Sequence, residues 1–357
     1  MGQETRQPAT AAPSSGGPAP VLGRRPSKRF MTGKAVRKFF ADECWDRAAG
    51  MTFFGALSIP PLAVALASVL ALAGQDEAAV KAVLDVLRLL APDQESLEAV
   101  SRPVLALMDH PSAGISLVVG LVTALWLAAG YVGSFGRAMN HIYGVHEGRP
   151  LWRLQAWHLL TTVILVAFGV LVTLLLVVSG PVARAIGTVL GVGRTALLVW
   201  EVLRWPLLLA AAVLVVALLY FATPNVRHPR FHWMSPGALV ALGVSGVATL
   251  LLRLYATSGR IDLTYGGVLA GVVVFSLWLW VINMALLLGA ELDSEVHRAR
   301  QLVAGVREAE HKVHLPVRDS RATDKARRRQ AADAARARSL RHSHGWRDDE
   351  REERDER

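Results

Sequence analysis

Apolar residues gather in six runs, each about 20 residues long and nearly free of charge, near positions 51–72, 115–134, 157–179, 196–221, 235–252 and 266–288. A helix rises about 1.5 Å per residue, so each run can cross a hydrocarbon core of about 30 Å. A helix wetted on one side would carry a charge every few positions, and these runs do not. Lipid offers the backbone no hydrogen-bond partner, so the runs are expected to be helical despite their many valines and isoleucines. The pattern predicts an all-α polytopic membrane protein with six transmembrane helices.

Residues 75–112 follow a different pattern. Val80, Val83, Leu84, Leu87 and Leu90 recur at helical spacing, while Lys81, Asp85 and Arg88 interrupt them. This reads as an amphipathic surface helix rather than a seventh span. A second short helix is expected over 95–108, broken or kinked by Pro103. Inside the spans, Pro60 and Pro61 in the first and Pro206 in the fourth remove backbone donors and should kink or break their helices. Two three-span halves entering from opposite sides, with the broken helices near a path, would form an inverted repeat.

Composition agrees with a membrane protein: 52% of residues are hydrophobic, 19% are charged, and the mean hydropathy is +0.34. The formal charge of +10 changes the picture through its placement. Arg24, Arg25, Lys28, Arg29, Lys34, Arg37 and Lys38 precede the first span, Arg137, Arg149 and Arg153 follow the second, and Arg227 and Arg230 follow the fourth. Residues 75–112 instead carry Asp76, Glu77, Asp85, Asp93, Glu95, Glu98 and Asp109. Basic loops are retained on the cytoplasmic side, so both termini are expected inside and 75–112 outside, in a bacterial inner membrane.

Three regions follow: a disordered basic cytoplasmic tail over 1–38, a membrane domain over 39–297 and a charged cytoplasmic tail over 298–357. The Pro-, Ala-, Gly- and Ser-rich opening lacks an apolar h-region and is not expected to be a signal peptide. The basic tails suit anionic lipid headgroups, and no stacking aromatics accompany them as nucleic-acid binding would require. Membrane lipids are the expected partners; the pattern does not assign an oligomeric state.

Polar groups inside spans are costly and mark candidates for a substrate path. Asn283 lies in the last third of span six, and the carbonyls freed around Ser58, Pro60 and Pro61 are expected to partner it along one polar path. Glu201 and Arg204 share a face at the outer end of span four, as an interfacial ion pair or a gate. Glu291 and Asp293 close span six at a solvated helix end. Asn140 and Arg149 fall in the loop after span two, docking onto neighbouring spans or touching a ligand. Stripes of small residues, Gly237/Ala241/Ser245, Gly267/Gly271 and Gly120/Ala124/Ala128, should let backbones approach closely. Trp157, Trp205, Tyr220 and Trp233 read as headgroup anchors.

No catalytic constellation, cofactor or metal is expected. The single Cys44 excludes a paired-cysteine zinc site, and His228 and His232 flank Pro229, which argues against one helical face. His342 and His344 lie in the tail.

Four segments together resemble the YihY/BrkB family of bacterial inner-membrane proteins, once labelled ribonuclease BN. They are DRAAGMTFFGALSIPPLAV from Asp46, ALWLAAGYVGSFGRAMNHIYGVHEGRP from Ala124, LYFATPNVRHPRFHWMSPGAL from Leu219 and LTYGGVLAGVVVFSLWLWVINMALLLGAELDSEV from Leu263. Trp126, Asn140, Tyr143, Gly144, Glu147, Arg149, Tyr220, Pro224, Pro236, Gly237, Tyr265, Gly266, Trp278, Leu288, Gly289, Ala290 and Glu291 match the family's pattern. The resemblance implies a transporter-like or envelope-maintenance protein, a non-catalytic envelope scaffold as the alternative, and a ribonuclease label that looks misassigned.

Overall fold

The computed structural model describes residues 28–73, 113–177, 194–227, 235–257, 263–310 and 312–343. The segments 75–112 and 228–234, with the surface helices, His228, His232 and Trp233, therefore lie outside the described residues.

Helix α1 spans Lys28–Ala41, α2 Cys44–Leu57, α3 Ile59–Ala73, α4 Ala113–Ile142, α5 Leu151–Val177, α6 Arg194–Ala222, α7 Pro236–Thr257 and α8 Leu263–Val303. A single 3-10 turn at Arg307–Glu310 and a last helix, α9, at Arg321–Ser343 follow. Among the described residues there is no strand, only an isolated bridge between Val226 and Val317. Six helical spans are long and apolar enough to cross a membrane: Cys44–Ala65, Gly114–Ile142, Leu151–Leu176, Leu197–Ala222, Pro236–Tyr255 and Gly271–Val303. The chain is a multi-pass membrane protein.

Consecutive spans pack side by side, and the ring closes where α8 lies against α2. Large apolar side chains such as Val118, Val122, Val202, Leu209, Leu250 and Val273 point outward from the ring. In water this face would be costly, whereas in lipid it is solvated. The enclosed core sits toward one end, built from Met51, Phe135, Met139, Ile142, Tyr220, Leu287 and Ala290.

The expected proline break occurs one residue early. Helix α2 ends at Leu57 and α3 starts at Ile59, with Ser58 N–H donating to Phe54 O at 3.1 Å and Leu62 N–H to Ser58 O at 3.2 Å. Pro60 and Pro61 thus stand in the first turn of a new helix, where a missing N–H costs nothing. Pro206 does not break its helix, and α6 continues through it.

Close packing falls partly where the small-residue stripes place it. A Cβ on Gly120 would lie 3.0 Å from Pro61 O and Ala65 N, so α3 and α4 nearly touch there. Gly237 faces the Gly289 carbonyl, and a Cβ at either position would collide with the other strand of backbone. Gly271, by contrast, has nothing within 4 Å, and the close contact of α8 lies about five turns further along, at Gly289.

The sequence expects a disordered tail up to residue 38 and a solvated tail from 298. Instead Lys28–Ala41 is helical and packs on α8, since Lys34 and Lys38 have carboxylate partners there. Ala299, Ala309, Val313 and Leu315 are buried against the bundle end. Only α9, with no buried residue, stands away from it.

Candidate functional site

The end of the ring that holds α1 and the segment after α8 also gathers most of the buried polar side chains of the described residues. Helix α8 is 41 residues long, so its last four turns continue past the apolar stretch as one rod. This corrects the expectation that Glu291 and Asp293 occupy a solvated helix end. Glu291 is 0% exposed, and Asp293 and Glu295 are also buried.

Each acid has its own partner. Glu291 Oε2 accepts from Lys38 Nζ at 3.3 Å, and Cys44 Sγ lies 3.9 Å from Oε1. Lys38 is shared, also reaching Ile142 O at 3.3 Å and Asp42 at 3.8 Å. One turn later Glu295 pairs with Lys34 at 3.6 Å and with Arg298 at 2.9 Å. Burial lowers the affinity of the Lys34 ammonium for its proton, with the Glu295 carboxylate pulling the other way. Asp293 points toward α7, where Gly237 N–H donates to its Oδ1 at 2.7 Å and caps the start of that helix. Lys34 and Lys38 are four apart, as are Glu291 and Glu295, so one face of α1 matches one face of α8.

A second set of bonds joins the loops. Helix α4 ends in a Schellman turn: Gly144, with φ +63°, donates its N–H to His141 O at 2.9 Å, and Val145 N–H donates to Asn140 O at 2.9 Å. The reversal brings Glu147 back to Asn140, whose Nδ2 donates at 2.9 Å, while Asn140 Oδ1 accepts Asn225 N–H at 2.7 Å. Arg149 grips the Glu147 carboxylate through Nε and Nη2, both at 2.8 Å, and Nη2 also donates to Thr223 O at 2.8 Å. Burial opposes the charge on Glu147, yet the hydrogen bonds from Arg149 and Asn140 outweigh it and hold its carboxyl below the usual range. Asn225 Nδ2 donates to His146 O at 3.1 Å and Asp319 O at 2.8 Å, binding the chain after α8 to the same lattice. Arg318 adds donors to Val226 O at 2.7 Å and to Phe221 O.

Deeper in the ring, Asn283 is 0% exposed. Its Nδ2 donates to Thr52 Oγ1 at 3.0 Å, and its Oδ1 accepts from Tyr131 OH at 2.8 Å. These partners lie on α2, ahead of the break at Ser58, and on α4. Ser58 Oγ donates back to Gly55 O of α2 at 2.7 Å. The structure thus brings Asn283 together with Thr52 and Tyr131, and not with the carbonyls around Pro60 and Pro61.

Glu201 and Arg204 lie at the opposite end. Arg204 stacks its guanidinium over Trp205 at 5.2 Å instead of pairing with Glu201. Trp205 is exposed as an anchor would be, but Tyr220 is buried and donates to Leu286 O, and Trp157 Nε1 donates to Ala222 O at 2.7 Å. Both tie helices together.

The partners Lys34, Lys38, Glu295, Arg298, Thr52, Tyr131 and Asn225 were not singled out by sequence. The i,i+4 spacing shared by two lysines and two glutamates was the one signal that pointed to a pair of facing helices. Among the described residues no group of His, Cys, Asp and Glu has the geometry to hold a metal ion.

A profile described as virulence factor BrkB matches residues 35–314, which includes the second half of α1, all six spans and the 3-10 turn. The chain belongs to this BrkB family. It is similar to a protein of Bacillus subtilis (strain 168) named as ribonuclease-like, YfkH, at 27% identity over 270 residues, covering 74% of this chain and 94% of that protein. It is also similar to a UPF0761 membrane protein of Laribacter hongkongensis (strain HLHK9), at 28% identity over 263 residues, covering 73% of this chain and 59% of that protein. No solved structure matches the chain. The family match runs past the expected membrane-domain limit of 297 and takes in the docked segment whose burial the structure explains.

Proposed function

We propose that this BrkB-family protein is a non-enzymatic inner-membrane protein that moves or maintains a lipidic or amphipathic component of the bacterial envelope. Both termini face the cytoplasm in this reading. The observation that carries it is the enclosed Glu291 carboxylate, paired with a partly exposed Lys38, at one end of a ring of six spans, below the Asn283 amide. Ionisable groups inside a membrane are costly, face the bundle interior and accompany ion or substrate pathways. The substrate path then runs from the Glu291 layer past Asn283, between α2, α4 and α8, rather than through the proline break. The basic loops at the tail end support the orientation.

The ribonuclease reading rests on the name of one relative. It would need an acid or base free to meet a phosphodiester, and Glu291, Asp293, Glu295 and Glu147 are all engaged by partners of their own chain.

The test is flux of fluorescent lipids and amphiphiles across liposomes containing the purified protein. Movement above protein-free liposomes, reduced at least about tenfold by Glu291→Gln and by Asn283→Leu in folded protein, is the expected result. Equal movement with and without the protein, or turnover of tRNA that copurifies with it, sinks the reading.

A further inference from the structure

Helix α9 lies beyond the family match, which ends at residue 314. It is 23 residues long, has no buried residue, and carries eight Lys and Arg against Asp324 and Asp333. A helix polar all round, with no tertiary packing, needs a reason to be helical. Its alanines supply propensity; its basic residues fall into a larger and a smaller group. At 100° per residue, Arg321, Lys325, Arg328, Arg329 and Arg336 fall within about 100° of arc, with both aspartates outside it and the other three, Arg327, Arg338 and Arg341, on the opposite side.

The start of α9 is held in place. Ala322 N–H donates to Gly148 O at 2.8 Å, Thr323 Oγ1 donates to Glu147 O at 3.2 Å, and Ser320 Oγ donates to Asp324 Oδ2 at 2.8 Å. Upstream, Asp319 O and Arg318 are bound to Asn225, Val226 and Phe221. Gly148 is three residues before Leu151, where α5 and its membrane span begin. Three residues reach at most about 10 Å, which is about one Debye length at physiological salt. The basic stripe therefore starts within electrostatic range of the headgroup plane.

We propose that the Arg321/Lys325/Arg328/Arg329/Arg336 face of α9 is a docking surface for anionic lipid headgroups of the bilayer that holds the spans. The pinned start favours this occupant over nucleic acid, because it fixes the beginning of the stripe beside the membrane. Leu340 is the one large apolar side chain of α9, so the helix rests on the headgroups by charge and does not insert. Each basic residue near an anionic surface contributes about 1 kcal/mol, and high salt removes it.

The experiment uses the full chain in nanodiscs, with Cys44→Ser and Ala334→Cys carrying a fluorophore on the side of α9 away from the stripe, and an acceptor dye on the headgroups. Energy transfer should rise at least about twofold when phosphatidylglycerol is raised from none to about 30%. It should fall back in about 0.5 M salt and be absent when the five stripe residues are replaced by Gln. That variant keeps the fold, because the stripe contributes nothing to the core. Transfer that ignores anionic lipid, or that changes only on adding RNA, overturns the proposal. A lipid response that appears only after deletion of residues 347–357 assigns the stripe to that acidic terminus and also overturns it.

Discussion

Asn283 and Glu291 stand eight residues apart on α8, and their neighbours Thr52 and Cys44 stand eight apart on the antiparallel α2. Eight residues are about two turns, or about 12 Å, so the same two faces meet at two polar layers separated by apolar packing. Breaking the lower layer should reveal its energetics. Lys38→Met leaves the fully enclosed Glu291 carboxylate without its cation and should destabilise the protein by about 3 kcal/mol, the low end for a broken buried pair because Lys38 keeps a solvent-facing flank. Lys38→Met with Glu291→Gln should recover most of that loss. Denaturant unfolding of the two single variants and the double variant closes the cycle, and additive losses would mean that the pair is not coupled.

Two glycines of α7 separate packing from propensity. Gly237→Ala should cost about 3 kcal/mol or more, because its methyl would meet the Gly289 carbonyl and the Asp293 carboxyl. Gly243→Ala has open space around it and should be neutral or stabilising by up to about 1 kcal/mol. Membrane yield and thermal stability of the two variants provide the comparison; equal losses would refute the assigned contact.

Acid should loosen the loop lattice before it unfolds the spans. The Glu147 carboxyl has its affinity for protons lowered in the folded protein by Arg149 and Asn140. Its contribution is therefore complete above the ordinary carboxylate range and lost as pH falls through the lowered value. Hydrogen exchange at 145–150 and 316–323 should accelerate below about pH 4, and Glu147→Gln should make these segments exchange fast at neutral pH. Protection that does not change with pH or with the substitution would show that Glu147 does not hold the lattice.

Orientation is tested with single cysteines in a Cys44→Ser background. An impermeant maleimide on intact cells should label positions within 75–112 and leave positions within 321–343 unlabelled until the membrane is opened. Labelling of α9 on intact cells would invert the topology.

The spans were legible because lipid enforces one rule on the whole chain: about 20 apolar residues per crossing, each helical. Asn283, Glu291 and Asn140 were legible as polar groups out of place. Their partners were not. Thr52 and Tyr131 look like ordinary residues of apolar helices, and Lys34 and Lys38 look like a basic flank, since their carboxylates lie more than 250 residues away in the chain. The solvated end expected for α8 failed because a run of charges has the same sequence signature whether water or a matching helix covers it. The same ambiguity hid the segment 299–319, whose few apolar residues, Ala309, Val313 and Leu315, are enough to dock it.

The pairing of Lys38 with Glu291 across 253 residues also sets an order of assembly. In chain order the basic helix α1 precedes all six spans. The acids that complete it arrive only with the last span. A carboxylate that would be costly in lipid thus meets a cation made earlier in the chain, and a chain arrested before α8 would lack both glutamate partners and leave the ring open, with Lys38 keeping only Asp42 and the Ile142 carbonyl. Quality control that recognises such an end could distinguish finished from unfinished protein by that charge alone.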